Sequence, residues 1–330
     1  MTFAEDIRKA VYTDWGSFES ILNESLASRS SLLNKINRYL LDTSGKKLRP
    51  LLALVTAKAC SGSVSQKAVA CAAVSELIHT ATLLHDDVVD DSDYRRGKLT
   101  VRKLFSPGVS LLIGDFWLTK AIHVLISSDC PYEVIKLYSN AIEELAEGEI
   151  LQMELADSLK TTEQDYIEVI RRKTASLFIA SVKGPAIVSD AAPAVVDSME
   201  KYAYWLGCSF QIRDDILDYR PESETGKDSN SDIMERKITM PLLCAMRNCP
   251  SKEDYVRRRM EDITGEPSRI REDMAVAREI RDFVIENAGL ESASAVLGEY
   301  LSKAKGCLDV LEPSVYRNGL AAIVDYIGKS

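Results

Sequence analysis

Long apolar stretches are missing from this chain of 330 residues. No run of about 18 apolar residues is present, so a membrane-spanning helix is not expected. The first twenty residues carry early acids and lack an apolar segment of roughly 7–15 residues, so no secretory signal is expected either. Period-two alternation bounded by turn residues is absent, which argues against strands. Seven cysteines (60, 71, 130, 208, 244, 249 and 307) show no Cys-x-x-Cys spacing. Their odd number and apolar neighbours read as reduced core thiols, and hence as an intracellular, cytoplasmic protein. Positive charge is in deficit: the formal net charge is -9, which argues against nucleic acid as the main partner. Histidine is scarce, with three in the chain. Glu76 and His79 have the Glu-x-x-His spacing of a di-iron bundle. Thr82 and Lys120 occupy the matching positions before His85 and His123, so the required second copy is lacking.

What remains is helical. From Phe3 to Leu41 apolar residues recur at three- and four-residue steps, as one or two amphipathic helices require. Pro50 suits the first turn of a helix through Cys60, and Ser65 or Gln66 opens the run that ends at Asp90. Pro107-Gly108 precedes a helix holding Leu111 to Ile126. Cys130-Pro131 restarts one that passes Glu149, and Thr161 with Gln164 predicts a capping box ahead of Lys173. Pro193 starts a helix reaching Asp218, and several more follow from Asp232 to Ile327. No linker or short-period repeat divides the chain. The expectation is all-α: a single large helical bundle, 1–330, around a central active-site cavity.

Two of these helices end in the same acidic pattern. Asp86-Asp87-x-x-Asp90 closes the first, and Asp214-Asp215-x-x-Asp218 closes the second. Asp86 and Asp90 are one turn apart on one face, as are Asp214 and Asp218. Like charges at that spacing repel. A hard divalent cation that prefers oxygen ligands reverses the cost, and facing helices of bundles are common places for such sites.

These motifs resemble those of the trans-isoprenyl diphosphate synthases, most of all the long-chain enzymes that make quinone side chains. The matching residues are Gly45-Lys46-Lys47-Leu48-Arg49-Pro50, the first aspartate motif with Arg95-Arg96-Gly97, and Gly114-Asp115-Phe116. They continue with Glu147-Gly148-Glu149, Lys173-Thr174, the second aspartate motif, and Gly226-Lys227 leading to Asp232 and Lys237. Ser44, Leu99 and Ser229-Asn230-Ser231 depart from the common pattern without touching its charged residues.

The resemblance implies a Mg²⁺-dependent head-to-tail prenyltransferase of the isoprenoid synthase fold, working as a homodimer with three Mg²⁺ ions. Asp86, Asp87, Asp90 and Asp214 would bind the metals, with Asp215 and Asp218 supporting them largely through water. Arg95, Lys173 and Lys227, with Lys237 nearby, would hold the allylic diphosphate. Lys46, Arg49, His79 and Arg96 would bind isopentenyl diphosphate without metal, and Thr174 and Gln211 would set dipoles beside the allylic cation. Ala81 and Thr82, one turn or slightly more before Asp86, are small where short-chain enzymes carry bulky aromatics. A product of roughly six or more isoprene units follows from that pocket depth, with the floor towards Trp117 or Ala121. Three competing readings are a short-chain farnesyl or geranylgeranyl synthase, a terpene cyclase and a non-catalytic subunit of a heteromeric synthase. The cyclase would carry a different second motif and has no need of Lys46 and Arg49; the subunit commonly loses an aspartate motif.

Overall fold

The three- and four-residue apolar spacing near the start of the chain becomes helices α1 (Tyr12–Leu26) and α2 (Ser31–Thr43). The computed structural model describes residues 7, 9–43, 45–220 and 230–329. Helix α3 (Leu48–Ser61) and α4 (Gln66–Val89) follow, with Ser65 capping α4 by accepting a hydrogen bond from Ala68 N. Helix α4 is apolar on nearly every side and rich in alanine, and such a helix must be surrounded. It packs against α1, α3 and α5 (Pro107–Ser127). Pro107 sits in the first turn of α5 and Ser106 caps it, as the Pro-Gly pair predicts.

The chain next forms α6 (Tyr132–Ser158), α7 (Glu163–Ile170), a π-helical turn (Arg171–Ala175) and α8 (Ser176–Val188). Then come α9 (Pro193–Asp218), a short turn of helix (Ser231–Met234), α10 (Met240–Asn248), α11 (Glu253–Glu261), α12 (Ile270–Glu286), α13 (Gly289–Cys307) and α14 (Val315–Gly328). Two compact units divide these elements. The first comprises residues 1–143, 177–203 and 307–323; the second comprises 144–176, 204–306 and 324–330. The first has Phe18, Leu51, Leu54, Leu77, Trp117, Tyr138 and Phe178 among its fully buried side chains. In the second, Tyr166, Ile170, Ile212, Ile216, Met240, Leu242, Met260 and Val284 belong to one cluster.

The all-α expectation holds with small corrections. Tyr94–Arg95 pairs antiparallel with Lys98–Leu99 in a two-residue hairpin. Arg96 (φ 54°) and Gly97 (φ 73°) are both left-handed, the geometry of a tight hairpin turn; so short a ladder leaves no alternation to read. The capping box lies one residue later than expected: Thr162 Oγ1 accepts from Asp165 N (3.2 Å) and Asp165 Oδ2 accepts from Thr162 N (2.9 Å). Asp165, not Gln164, falls at the third helical position. By length and composition alone, α4 and α5 are apolar enough to cross a membrane, contrary to the sequence reading. Most of the apolar stretch of α4 is buried within the protein, whereas 39% of that of α5 is. All seven cysteines are free thiols.

Candidate active site

In the first unit, α4 delivers Asp86, Asp87 and Asp90 at its C-terminal end, with no basic residue in its last turn. Asp90 N donates to Asp86 O at 2.8 Å, so the helical turn between them is closed. A helix C-terminus carries partial negative charge, and acids placed there add to it. Asp87 is buried and accepts from Arg95 Nε at 2.6 Å. Burial raises its pKa and Arg95 opposes the rise. Asp91, next along, pairs instead with Arg102, which also holds Asp93 at 2.7 Å. Thr100 Oγ1 donates to Ser92 O at 2.8 Å, which ties down the hairpin loop carrying Arg95 and Arg96.

A cationic group gathers beside this motif. The Arg96 guanidinium lies against Gly45, where a Cβ would collide with its Nη1. Glycine there lets Arg96 reach the segment that carries Lys46. The Arg49 guanidinium stacks over the Phe178 ring, 4.5 Å from its centroid. His79 is pushed well below its ordinary pKa by desolvation, then by Arg49, Arg96 and Arg95. A neutral imidazole among three arginines is an environment suited to an anion.

Farther from the acids, Ala81 is fully buried and Thr82 Oγ1 donates to His79 O at 2.9 Å. Gly114 makes room for His85: a Cβ at 114 would collide with its Nε2, and Asp115 Oδ1 is 3.3 Å from the same atom. Ser110 Oγ donates to Leu84 O at 2.8 Å. These contacts join α4 to α5 where Leu84 and His85 meet Ser110, Gly114 and Asp115. The Trp117 indole is fixed by donation to Asn37 Oδ1 at 2.9 Å.

In the second unit, the π turn Arg171–Ala175 supplies Lys173 and Thr174. Such turns concentrate at functional sites. Gly148 on α6 admits this turn at close range, since a Cβ there would meet Lys173 N at 2.7 Å. Arg171 pairs with Glu144 and Glu168 (both 2.8 Å), and Arg172 pairs with Glu168 (2.6 Å) and Glu147. Lys173 Nζ lies 2.5 Å from Glu149 and donates to Gln152 Oε1 at 3.3 Å. Thr174 Oγ1 donates to Gln211 Oε1 (2.7 Å), Gln211 Nε2 to Asp215 Oδ1 (2.8 Å), and Tyr166 Oη to Asp215 Oδ2 (2.5 Å). A cleft of about 370 Å³, counting its open mouth, is lined by residues including Lys173, Thr174, Gln211, Asp215, Asp232 and Lys237.

Do these residues fit a divalent metal? Burial raises Asp215 to about 6; Tyr166 and Gln211 oppose the rise, while Asp214 and Asp218 add to it. Asp232 is raised well above the usual carboxylate range by burial and by Asp215 and Asp218, against the pull of Lys237. Asp218 accepts from Ser231 Oγ (2.5 Å) and Asp232 N (3.1 Å), so it also holds the short helix that follows. Mutual repulsion within such a hard-oxygen set is relieved by Mg²⁺. Among the described residues no three acidic, His or Cys side chains form a closed cage.

The family model described as Polyprenyl synthetase matches residues 30–278. The chain belongs to the polyprenyl synthetase family. It is 34% identical over 321 residues (96% of this chain, 95% of the relative) to an all-trans-nonaprenyl-diphosphate synthase (geranyl-diphosphate specific) of Rhodobacter capsulatus. It is 35% identical over 299 residues (89% of each) to a short chain isoprenyl diphosphate synthase of Methanothermobacter thermautotrophicus. A solved decaprenyl diphosphate synthase from Rhodobacter capsulatus superposes with a TM-score of 0.90 at 31% identity, covering 99% of this chain and 98% of that one. As a polyprenyl synthetase the chain is a trans-prenyltransferase of all-α fold.

Within the first unit, the fold gathers Asp87, Arg95, Arg96, Arg49 and His79, with Asp86 and Asp90 on the same helix end. Within the second it gathers Lys173, Thr174, Gln211, Asp214, Asp215, Asp218 and Lys237. Lys227 lies outside the described residues. Lys237 pairs with Glu235. Sequence reasoning missed Tyr166 and Gln152 and gave Glu149 no partner. The Glu147-Gly148-Glu149 motif pointed to Glu149; nothing in the local sequence marked Tyr166.

Proposed function

We propose that this polyprenyl synthetase condenses isopentenyl diphosphate with an allylic diphosphate to give a long-chain all-trans-polyprenyl diphosphate. The observation that carries the proposal is the matched pair of acid-ended helices, each placing carboxylates where its own backbone dipole opposes them. Both motifs serve the allylic diphosphate in this proposal. Asp86, Asp87, Asp90 and Asp214 would hold Mg²⁺, three ions in all, with Asp215 and Asp218 in support. Mg²⁺ bound there supplies positive charge to the departing diphosphate. Arg95, Lys173, Lys227 and Lys237 grip the same group, and each cation placed where charge develops lowers the barrier. Lys46, Arg49, Arg96 and neutral His79 hold isopentenyl diphosphate. Thr174 and Gln211 present oxygen dipoles to the allylic cation, and the released diphosphate takes the final proton.

The small side chains of Ala81 and Thr82, at positions where short-chain enzymes carry bulky aromatics, support a product of roughly six or more isoprene units. A single functional domain, a cytoplasmic location and a homodimer complete the proposal. Leu112 (69% exposed) and Ile126 (57%) lie on one face of α5, about 40° apart by helical geometry. An apolar face of this kind favours a second copy as its cover. The test is incubation with labelled isopentenyl diphosphate, Mg²⁺ and geranyl or farnesyl diphosphate, with chromatography of the dephosphorylated products. Long prenyl alcohols are expected. A cyclised hydrocarbon, or no incorporation without an added subunit, would overturn the proposal, and farnesol or geranylgeraniol alone would overturn the chain length.

A further inference from the structure

Tyr166 is 4% exposed and is absent from the lining of the cleft, so it does not touch a substrate there. Its hydroxyl nevertheless ends a chain of hydrogen bonds that reaches the cleft: Tyr166 Oη to Asp215 Oδ2 (2.5 Å), Gln211 Nε2 to Asp215 Oδ1 (2.8 Å), Thr174 Oγ1 to Gln211 Oε1 (2.7 Å). Chemistry sets the direction of this chain. A carboxylate only accepts, so Gln211 must turn its amide NH₂ to Asp215. Its carbonyl oxygen then faces Thr174, which must donate its one proton. A threonine hydroxyl that has spent its proton keeps its lone pairs for whatever else approaches.

Backbone geometry supports a built arrangement. Tyr166 and Thr174 are eight residues apart, which on an unbroken α-helix puts them about 80° apart. The π turn Arg171–Ala175 takes up one extra residue. Seven effective steps leave the two side chains within about 20° of one face. Tyr166 then reaches Asp215 and Thr174 reaches Gln211, two residues of α9 one turn apart.

We propose that Tyr166 is a positioning residue: its phenol fixes Asp215, Asp215 fixes the Gln211 amide, and the amide takes the Thr174 proton. Thr174 thereby presents lone pairs, not a proton, to an allylic cation in the cleft. The inference rests on the prenyltransferase reading above and adds a residue that acts through others.

The test compares two probes by calorimetry with Mg²⁺ and inorganic pyrophosphate: an ammonium analogue of the geranyl cation and geranyl thiodiphosphate, which does not ionise readily. Tyr166→Phe should weaken the ammonium analogue at least tenfold and the thiodiphosphate less than twofold. A purely structural role would weaken both alike, and that result, or no change in either, overturns the proposal. Gln211→Met cuts the chain in the middle. The double variant Tyr166→Phe/Gln211→Met should lose no more ammonium affinity than Gln211→Met alone, whereas additive losses overturn the proposal. If Tyr166→Phe does not fold, 3,5-difluorotyrosine at 166 keeps the hydroxyl and strengthens it as a donor. The ratio of the two affinities should then change at least twofold, and an unchanged ratio overturns the proposal. Wild-type protein that binds neither probe and forms no product would instead refute the prenyltransferase reading itself.

Discussion

Gly148→Ala separates the packing of the π turn from its chemistry. The added methyl would lie 2.7 Å from Lys173 N, 2.9 Å from Arg172 Cβ and 3.1 Å from Lys173 Cα. Two of these three neighbours are backbone atoms, which cannot rotate away as a side-chain tip can. Reaching an ordinary contact of roughly 3.4 Å requires the Lys173 backbone to retreat by about 0.7 Å from 2.7 Å. Two stability effects oppose each other: alanine gains about 0.5–1 kcal/mol over glycine within a helix, and overpacking costs about 1–3 kcal/mol. The expected net loss is about 1 kcal/mol, a modest change in a urea midpoint. Activity should suffer more, because misplacing a reacting group by about 1 Å can cost on the order of 10²-fold. Turnover with labelled isopentenyl diphosphate should fall at least tenfold, while its Michaelis constant changes little, since the cations assigned to that substrate lie elsewhere. A variant that gains about 0.5–1 kcal/mol and keeps full turnover would refute the close approach of Gly148 to the π turn.

Asp86→Ala or Asp214→Ala should lower turnover by several orders of magnitude, and near-normal Mg²⁺-dependent turnover in either variant would remove that residue from metal binding. Arg49→Ala should raise the Michaelis constant for isopentenyl diphosphate much more than that for the primer, and equal effects would mean that the cationic groups are wrongly assigned. His79 should stay neutral through the pH range in which an ordinary histidine titrates, as followed by the NMR shifts of its ring. Its folded pKa lies below the unfolded value of about 6.5, so the unfolded chain binds the proton first. Its contribution to stability is full above that pH and is lost as the pH falls below it; diphosphate bound beside the three arginines should raise this pKa, and a His79 that titrates normally in the free protein would contradict the packing. Ala81→Phe should shorten the product while primer ionisation survives, and an unchanged product distribution in a folded, active variant would rule out a chain path along α4.

Local rules read much of this protein. The helix ending at Asp90 was legible because Ser65 is a capping residue and the apolar run is long. Pro107 and Pro193 marked helix starts because proline tolerates the first turn and little else. The paired acidic motifs were legible because carboxylates one turn apart on a helix repel, a cost that a cation relieves.

Other assignments depended on neighbours far away in sequence. Asp91 and Asp90 are adjacent acids in the chain, yet Asp91 pairs with Arg102 to close a loop, a choice only the folded hairpin can make. Gly45 and Gly148 look alike in sequence; the structure shows that one admits the Arg96 guanidinium and the other the backbone of the π turn. The π turn itself has no sequence signature; its Arg172 and Lys173 pass close to Gly148, a neighbour 24 or more positions away. Without the π turn Tyr166 would point away from Asp215, and the hydrogen-bond chain to Thr174 would not close. Residue type and spacing determined which groups can bind phosphate and metal, since charge and hydrogen-bonding capacity belong to the side chain. Which carboxylates are held by a tyrosine, an arginine or a following turn was decided by tertiary structure, because a hydrogen bond needs its partner within about 3 Å, and only packing brings residues 49 positions apart that close.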